Sequence, residues 1–147
     1  MNSKLANKRV DFLVTEPDGS RFLLVEIKRH NIDRSGLDQI GVYAELIKPD
    51  FVIAVDPQQI LVAQTKNGSP DWDHATRLST LAVLGQYTDA SSLDQVESFY
   101  LQSLVEAWLM DFAEGWKSAR PPGYQELESI GLAGRLRGSQ IHVEAQL

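Results

Sequence analysis

The chain has 147 residues, of which 43% are hydrophobic, and it carries a net charge of −6. This length suits one domain with a sizeable core, and the hydrophobic content excludes a largely disordered chain. The lack of cysteine excludes disulfides, a thiolate nucleophile and zinc–cysteine sites. There is no signal-peptide pattern and no apolar run long enough to span a bilayer, so we expect a cytoplasmic protein without membrane contact.

The first predicted element is a β-hairpin over residues 9–28. Its arms, Val10–Thr15 and Arg21–Lys28, are rich in Val, Leu, Ile and Phe. Between them lies Glu-Pro-Asp-Gly at residues 16–19, with Pro and Gly where a tight turn favours them. The two arms are therefore expected to pair as neighbouring strands.

Three charged residues lie in these otherwise apolar arms. If the turn has an even number of residues, Asp11 lies opposite Leu24 or Glu26 and shares a face with Glu26 and Lys28. An odd number places Asp11 on the opposite face. Buried charges are costly unless they are paired or bind a metal, so the three residues need a joint explanation.

Two explanations remain open from the residues alone. In the first, the carboxylates of Asp11 and Glu26 hold a hard divalent cation such as Mg²⁺. The Lys28 ammonium then orients an attacking water or offsets charge on a phosphate. In the second, the arms present a solvated sheet face with a cross-strand ion pair.

The net negative charge argues against nucleic-acid binding, which depends largely on Lys and Arg. The distribution of charge is more informative than the sum, because basic residues cluster around the hairpin. They are Lys4, Lys8, Arg9, Arg21, Lys28, Arg29, His30 and Arg34. A basic rim around an acidic metal site suits a phosphodiesterase, and a solvated basic surface would have the same composition.

A helix is predicted to follow the hairpin, with Ser35 as its N-cap and its end at Lys48, before a proline. Its apolar residues recur at helical spacing. Gln39 and Tyr43 are four residues apart, so they point in the same direction.

Two strands are predicted next, at Phe51–Val55 and Ile60–Gln64. The first is almost continuously apolar, which is typical of a central strand covered on both faces. A loop over residues 65–74 and a short helix capped at Ser79 or Thr80 are expected to follow.

The C-terminal part is predicted to contain a long helix and a hairpin. The helix over residues 92–117 has a wide apolar face, which we expect to pack on the core with some share in a homodimer interface. The tail, residues 132–147, alternates like a hairpin that turns at residues 137–139. His142 and Glu144 share a face of that hairpin, which lies near the site or at an exposed edge.

The order of these motifs resembles the PD-(D/E)xK nuclease superfamily, which has the restriction-endonuclease-like fold. Asp11 takes the place of the first acid, although Val10 stands where the family name has proline. Across the hairpin, Glu26 and Lys28 match the second acid and the lysine. The resemblance covers roughly residues 9–64.

The helix after this strand adds a second likeness. Gln39 and Tyr43 resemble the Gln-xxx-Tyr feature of the recombination-type exonuclease branch, where the pair supports the active site and contacts nucleic acid. The family fold usually opens with a helix, for which residues 1–8 are too few. Either that helix is missing here, or a later helix or a partner chain is expected to cover that surface.

The resemblance implies one α/β domain over residues 1–147, with a mixed central sheet flanked by helices. Its core is residues 9–64, and residues 75–147 form a helical and hairpin extension. The implied activity is hydrolysis of phosphodiester bonds in nucleic acid, with DNA as the expected partner.

The resemblance also implies the site residues. Asp11, Glu26 and the backbone carbonyl of Ile27 would hold Mg²⁺ or Mn²⁺, and Lys28 would position the nucleophile. Two other readings stay open. One is an inactive member of this fold that serves as an interaction module; the other is an unrelated α+β binding domain, which requires Asp11 to point away from Glu26.

Overall fold

The computed structural model describes residues 9–89 and 98–146. In chain order, its strands and helices are β1 (Arg9–Thr15), β2 (Arg21–Ile27), α1 (Arg34–Ile47), β3 (Phe51–Val55), β4 (Gln59–Lys66), β5 (Ser69–Pro70), β6 (Thr76–Ser79), α2 (Thr80–Leu84), α3 (Ser98–Glu114), α4 (Tyr124–Ser129), α5 (Leu132–Leu136) and β7 (Gln140–Gln146). None of the helices in these ranges has the length and apolar character needed to cross a bilayer.

The strands form one seven-stranded sheet. The order is β5-β4-β3-β2-β1-β7, and β6 also pairs with β4. Strands β2 and β3 are parallel, and the other described pairings are antiparallel. The predicted α/β fold with a mixed central sheet is confirmed, and so is the order of its first four strands and the intervening helix.

Helices cover both faces of the sheet. On one face, α1 packs Ile40, Ala44 and Ile47 against the inner strands. On the other face, side chains of α2, α3, α4 and α5 form a larger core. The near-continuous apolar runs of β2 and β3 follow from this double coverage, because neither face of a central strand meets water.

The hairpin register decides which side chains share a face. The turn occupies residues 16–20, an odd number, which would place Asp11 away from Glu26. However, there is a β-bulge at Phe22, which has no partner in β1 and lies between the paired residues Arg21 and Leu23. The bulge shifts the register by one residue. Asp11 therefore lies opposite Glu26 after all, on the face covered by α1.

The N-cap of α1 is Asp33, so the prediction of Ser35 is wrong. The Asp33 carboxylate accepts a hydrogen bond from the Gly36 backbone N–H at 2.8 Å, and the helix begins one residue later. At the other end, Lys48 adopts a left-handed conformation and donates its N–H to Ala44 O. This conformation ends the helix before the following proline.

The long C-terminal helix ends earlier than predicted. It stops at Glu114 rather than at Lys117, because the buried Asp111 carboxylate accepts the backbone N–H groups of Lys117 and Ser118 at 2.9 Å each. The predicted start, residues 92–97, lies outside the described residues. The apolar face of the described helix is buried in the core, so these residues give no support to the expected homodimer.

The predicted C-terminal hairpin is wrong. Its first arm is the helix α5, and only β7 is a strand, which pairs with β1. Leu132, Ala133 and Leu136 are all buried, and this spacing places them on one side of a helix. Burial of those three side chains favours a helix at this position over the strand that the alternating pattern predicted.

Trp108 anchors α3 to the sheet, because its side chain is fully buried and its indole N–H donates to Pro122 O at 2.9 Å. We expect Trp108→Ala to lower the free energy of unfolding by about 3–5 kcal/mol through the cavity it leaves. Urea denaturation measures the change. Trp116→Ala is the matched control, because the Trp116 side chain is 53% exposed and its loss should matter less. Equal losses for the two variants would contradict the packing described.

Candidate functional site

Asp11 and Glu26 each bind the backbone of the other's strand. The Asp11 N–H donates to Glu26 Oε1 at 2.9 Å, and the Ile27 N–H donates to Asp11 Oδ2 at 2.7 Å. The two carboxylates therefore converge at the paired ends of β1 and β2. An unrelated α+β binding domain, the other reading of the sequence, would require Asp11 to point away from Glu26. The observed geometry is the opposite.

Burial makes this pair electrostatically unfavourable. The Glu26 side chain is only 7% exposed, and burial together with the Asp11 charge raises the pKa of Glu26 to about 7. Burial likewise raises the pKa of Asp11 above its usual value. Lys28 acts in the opposite direction on both carboxyl groups, but its charge does not offset their desolvation. The pair would therefore be stabilised by additional positive charge.

The donor set suits a hard divalent cation. One oxygen of each carboxylate, Asp11 Oδ1 and Glu26 Oε2, has no hydrogen-bond partner within residues 9–89 and 98–146. In the same ranges, there is no group of three or more Asp, Glu, His or Cys side chains that could hold a metal ion. Mg²⁺ is commonly held by one or two carboxylates and completes its shell with water and phosphate oxygens, so two carboxylates are sufficient.

Helix α1 brings both of its predicted residues to this end of the hairpin. Tyr43 is half-buried, and its pKa is raised by burial and by the charges of Glu26 and Asp11. Gln39 is exposed and lines a groove of about 240 Å³ together with Lys28. Tyr43 thus lies close to the two carboxylates, and Gln39 lies in one groove with Lys28, while the roles of all five predicted residues stay predictions.

Glu144 is a further carboxylate, and it neighbours Asp11 in the sheet. Its neighbours in β7 pair with Val10 and Phe12, so Glu144 lies beside Asp11 in the register, and its charge contributes to the raised pKa of Asp11. It adopts a left-handed backbone conformation with φ of 50°. Alternation alone predicted that His142 and Glu144 share a face, but only the pairing of β7 with β1 identifies the neighbour of Asp11.

The predicted basic rim is divided by the sheet. Arg9 begins β1 beside the end of β2, where Lys28, Arg29 and His30 follow. Arg21 lies at the other end of β2, a strand of seven residues, which corresponds to about 20 Å. Arg21 is therefore not part of the rim, and the cluster seen in the sequence is only partly a cluster in space.

Glu26 should make the metal-free protein less stable as the pH rises. Its pKa is about 7 in the folded chain and 4.5 in the unfolded chain, so the folded state binds this proton more tightly. The stabilisation that comes from this more tightly bound proton is fully present below pH 4.5 and is lost as the pH rises through 7. The loss is on the order of 3 kcal/mol. Glu26→Gln keeps an acceptor for the Asp11 N–H and should flatten the dependence.

Urea denaturation in EDTA at several values between pH 5 and pH 8 measures this effect. Adding Mg²⁺ at pH 8 should then raise the unfolding midpoint of the wild type but not that of Glu26→Gln, since a ligand stabilises only the state that binds it. Parallel pH profiles for the two proteins would show that Glu26 is not the group responsible.

The comparison with protein families gives one match. The family described as "Type I restriction enzyme R protein N terminus (HSDR_N)" matches residues 1–78. The comparisons with curated proteins and with solved structures gave no match. The matched range is more than half of the chain and includes all the residues predicted for the site, whereas Glu144 lies outside it. The chain therefore belongs to the family of the N terminus of type I restriction enzyme R proteins.

Proposed function

We propose that this chain is a Mg²⁺-dependent nuclease that hydrolyses phosphodiester bonds in DNA. The observation that carries the proposal is the convergence of Asp11 and Glu26, two buried carboxylates on adjacent strands whose pKa values are both raised. Burying two like charges side by side is unfavourable unless a cation compensates them. Membership in a family named for a restriction enzyme supports an association with DNA.

Asp11, Glu26 and the backbone carbonyl of Ile27 would hold the cation, as the resemblance to the PD-(D/E)xK superfamily implies. When bound there, Mg²⁺ would offset charge on the phosphate and favour ionisation of the attacking water. The Lys28 ammonium acts electrostatically on both carboxylates, and it would donate a hydrogen bond to a water or phosphate oxygen beside them. Such a donor stabilises the negative charge that develops in the transition state.

The two residues of α1 would complete the site. The Tyr43 hydroxyl is half-buried on the carboxylate side of α1 and would donate a hydrogen bond to a substrate oxygen. Gln39 shares its groove with Lys28 and would contact the substrate there. Neither side chain needs to change its protonation state for these roles.

A second candidate is an inactive member of the same fold that serves as an interaction module. One observation favours it: each carboxylate already accepts a backbone N–H, so Asp11 and Glu26 also hold the two strands together. A chain without activity would keep them for that reason alone. The net charge of −6 is also less suited to DNA binding.

Cleavage of labelled single- and double-stranded DNA with Mg²⁺ or Mn²⁺ separates these candidates. Lys28→Ala should lower the cleavage rate by about 10²–10³-fold, because it removes a donor at the developing charge. Glu26→Gln should cause a loss of at least that size by weakening metal binding.

Lys66→Ala is the matched control, since Lys66 is an exposed lysine that pairs with Asp71. It should cut DNA at the wild-type rate. If the wild type and Lys28→Ala share the same trace activity with every substrate and metal, the nuclease proposal fails and the interaction module is the better reading.

A further inference from the structure

A short loop with a basic tip joins β2 to α1. This basic loop, residues 28–33, is fixed near both ends. The Lys28 N–H donates to Val55 O at 2.7 Å, and the Ile32 N–H donates to Asp56 Oδ2 at 2.9 Å. Asp56 is fully buried, so this anchor is shielded from water. The tip of the loop, Arg29 and His30, is therefore held in place although both side chains are exposed.

The positive charges of this segment are not neutralised by neighbouring acids. Arg29 and His30 are exposed, and neither of them has an ion pair or a side-chain hydrogen bond with residues 9–89 or 98–146. In contrast, Arg135 at the other end of the sheet binds Glu16 and Asp50. The charges at the basic loop are thus available to an anionic ligand.

Two carboxylates at the basic loop, those of Asp56 and Asp33, are already engaged in hydrogen bonds. The Asp56 carboxylate accepts three backbone N–H groups, from Ile32, Gln58 and Gln59. The Asp33 carboxylate accepts the N–H of Gly36 as the cap of α1. Hydrogen bonds disperse part of the charge on these carboxylates, which reduces their repulsion of an anion.

The tip of the basic loop separates two open grooves. One, of about 240 Å³, extends from the tip to Lys28 and Gln39. The other, of about 420 Å³, lies between the tip and Pro57. Arg29 and His30 line both grooves. A chain-like ligand that follows the grooves would therefore pass these side chains and reach Lys28.

We propose that the basic loop binds the sugar-phosphate backbone of a nucleic-acid strand next to the bond to be cut. Arg29 would contact a phosphate, and His30 would donate a hydrogen bond. Because the rest of this chain is acidic, attraction of a polyanion must come from such a local cluster. The position relative to the cut rests on the proposed nuclease function, whereas binding of the strand does not.

Anisotropy of labelled single- and double-stranded DNA in EDTA, measured over a series of salt concentrations, tests the binding. Arg29→Ala should weaken binding several-fold, and it should reduce the slope of log K against log salt by about 1, as expected for the loss of one phosphate contact. Arg29→Lys keeps the charge and should restore the wild-type slope.

The matched control is Arg21→Ala, which removes the same charge from an exposed arginine at the other end of β2. It should keep the wild-type slope. Equal slopes for the wild type and Arg29→Ala would overturn the inference, even if the wild type cuts DNA. Arginine-dependent binding by a protein that does not cut DNA would support the inference while the nuclease proposal fails.

Discussion

The reciprocal hydrogen bonds between two carboxylates and two strand amides are the constraint on which the candidate site depends. Asp11 binds the backbone of β2, and Glu26 binds the backbone of β1. Replacing either carboxylate with an apolar side chain would leave an amide N–H without this partner. The pair is therefore part of the sheet and part of the candidate site at once. This double role keeps the unfavourable charges in a defined geometry.

Helix α1 links the core to the site. Its buried residues, Ile40, Ala44 and Ile47, hold it on the sheet face where the carboxylates lie. Gln39 and Tyr43 are one turn apart, so the same packing places both near the end of β2. The orientation of the helix is thus set by apolar burial, and the polar residues follow from it.

The distribution of charge shows why the net charge is a poor guide to function here. Several acidic residues have structural roles within the described ranges. Asp56 and Asp111 accept backbone N–H groups in buried positions, while Glu16 and Asp50 bind Arg135. Within the same ranges, Arg29 and His30 are exposed beside the candidate site and have no such partners. A protein that is acidic as a whole can therefore still present unpaired basic side chains at one place.

The sequence by itself determined the first four strands and α1, because periodicity and turn chemistry are local properties. The candidate site residues follow from the resemblance of the motif order to a known superfamily, and their roles stay predictions. Only the tertiary structure decided the face on which Asp11 lies: the turn is odd, and the bulge at Phe22, which reverses the outcome, has no local signal. The helix at residues 132–136 depends on burial against distant elements. The place of Glu144 beside Asp11 likewise requires the pairing of β7 with β1, which joins opposite ends of the chain.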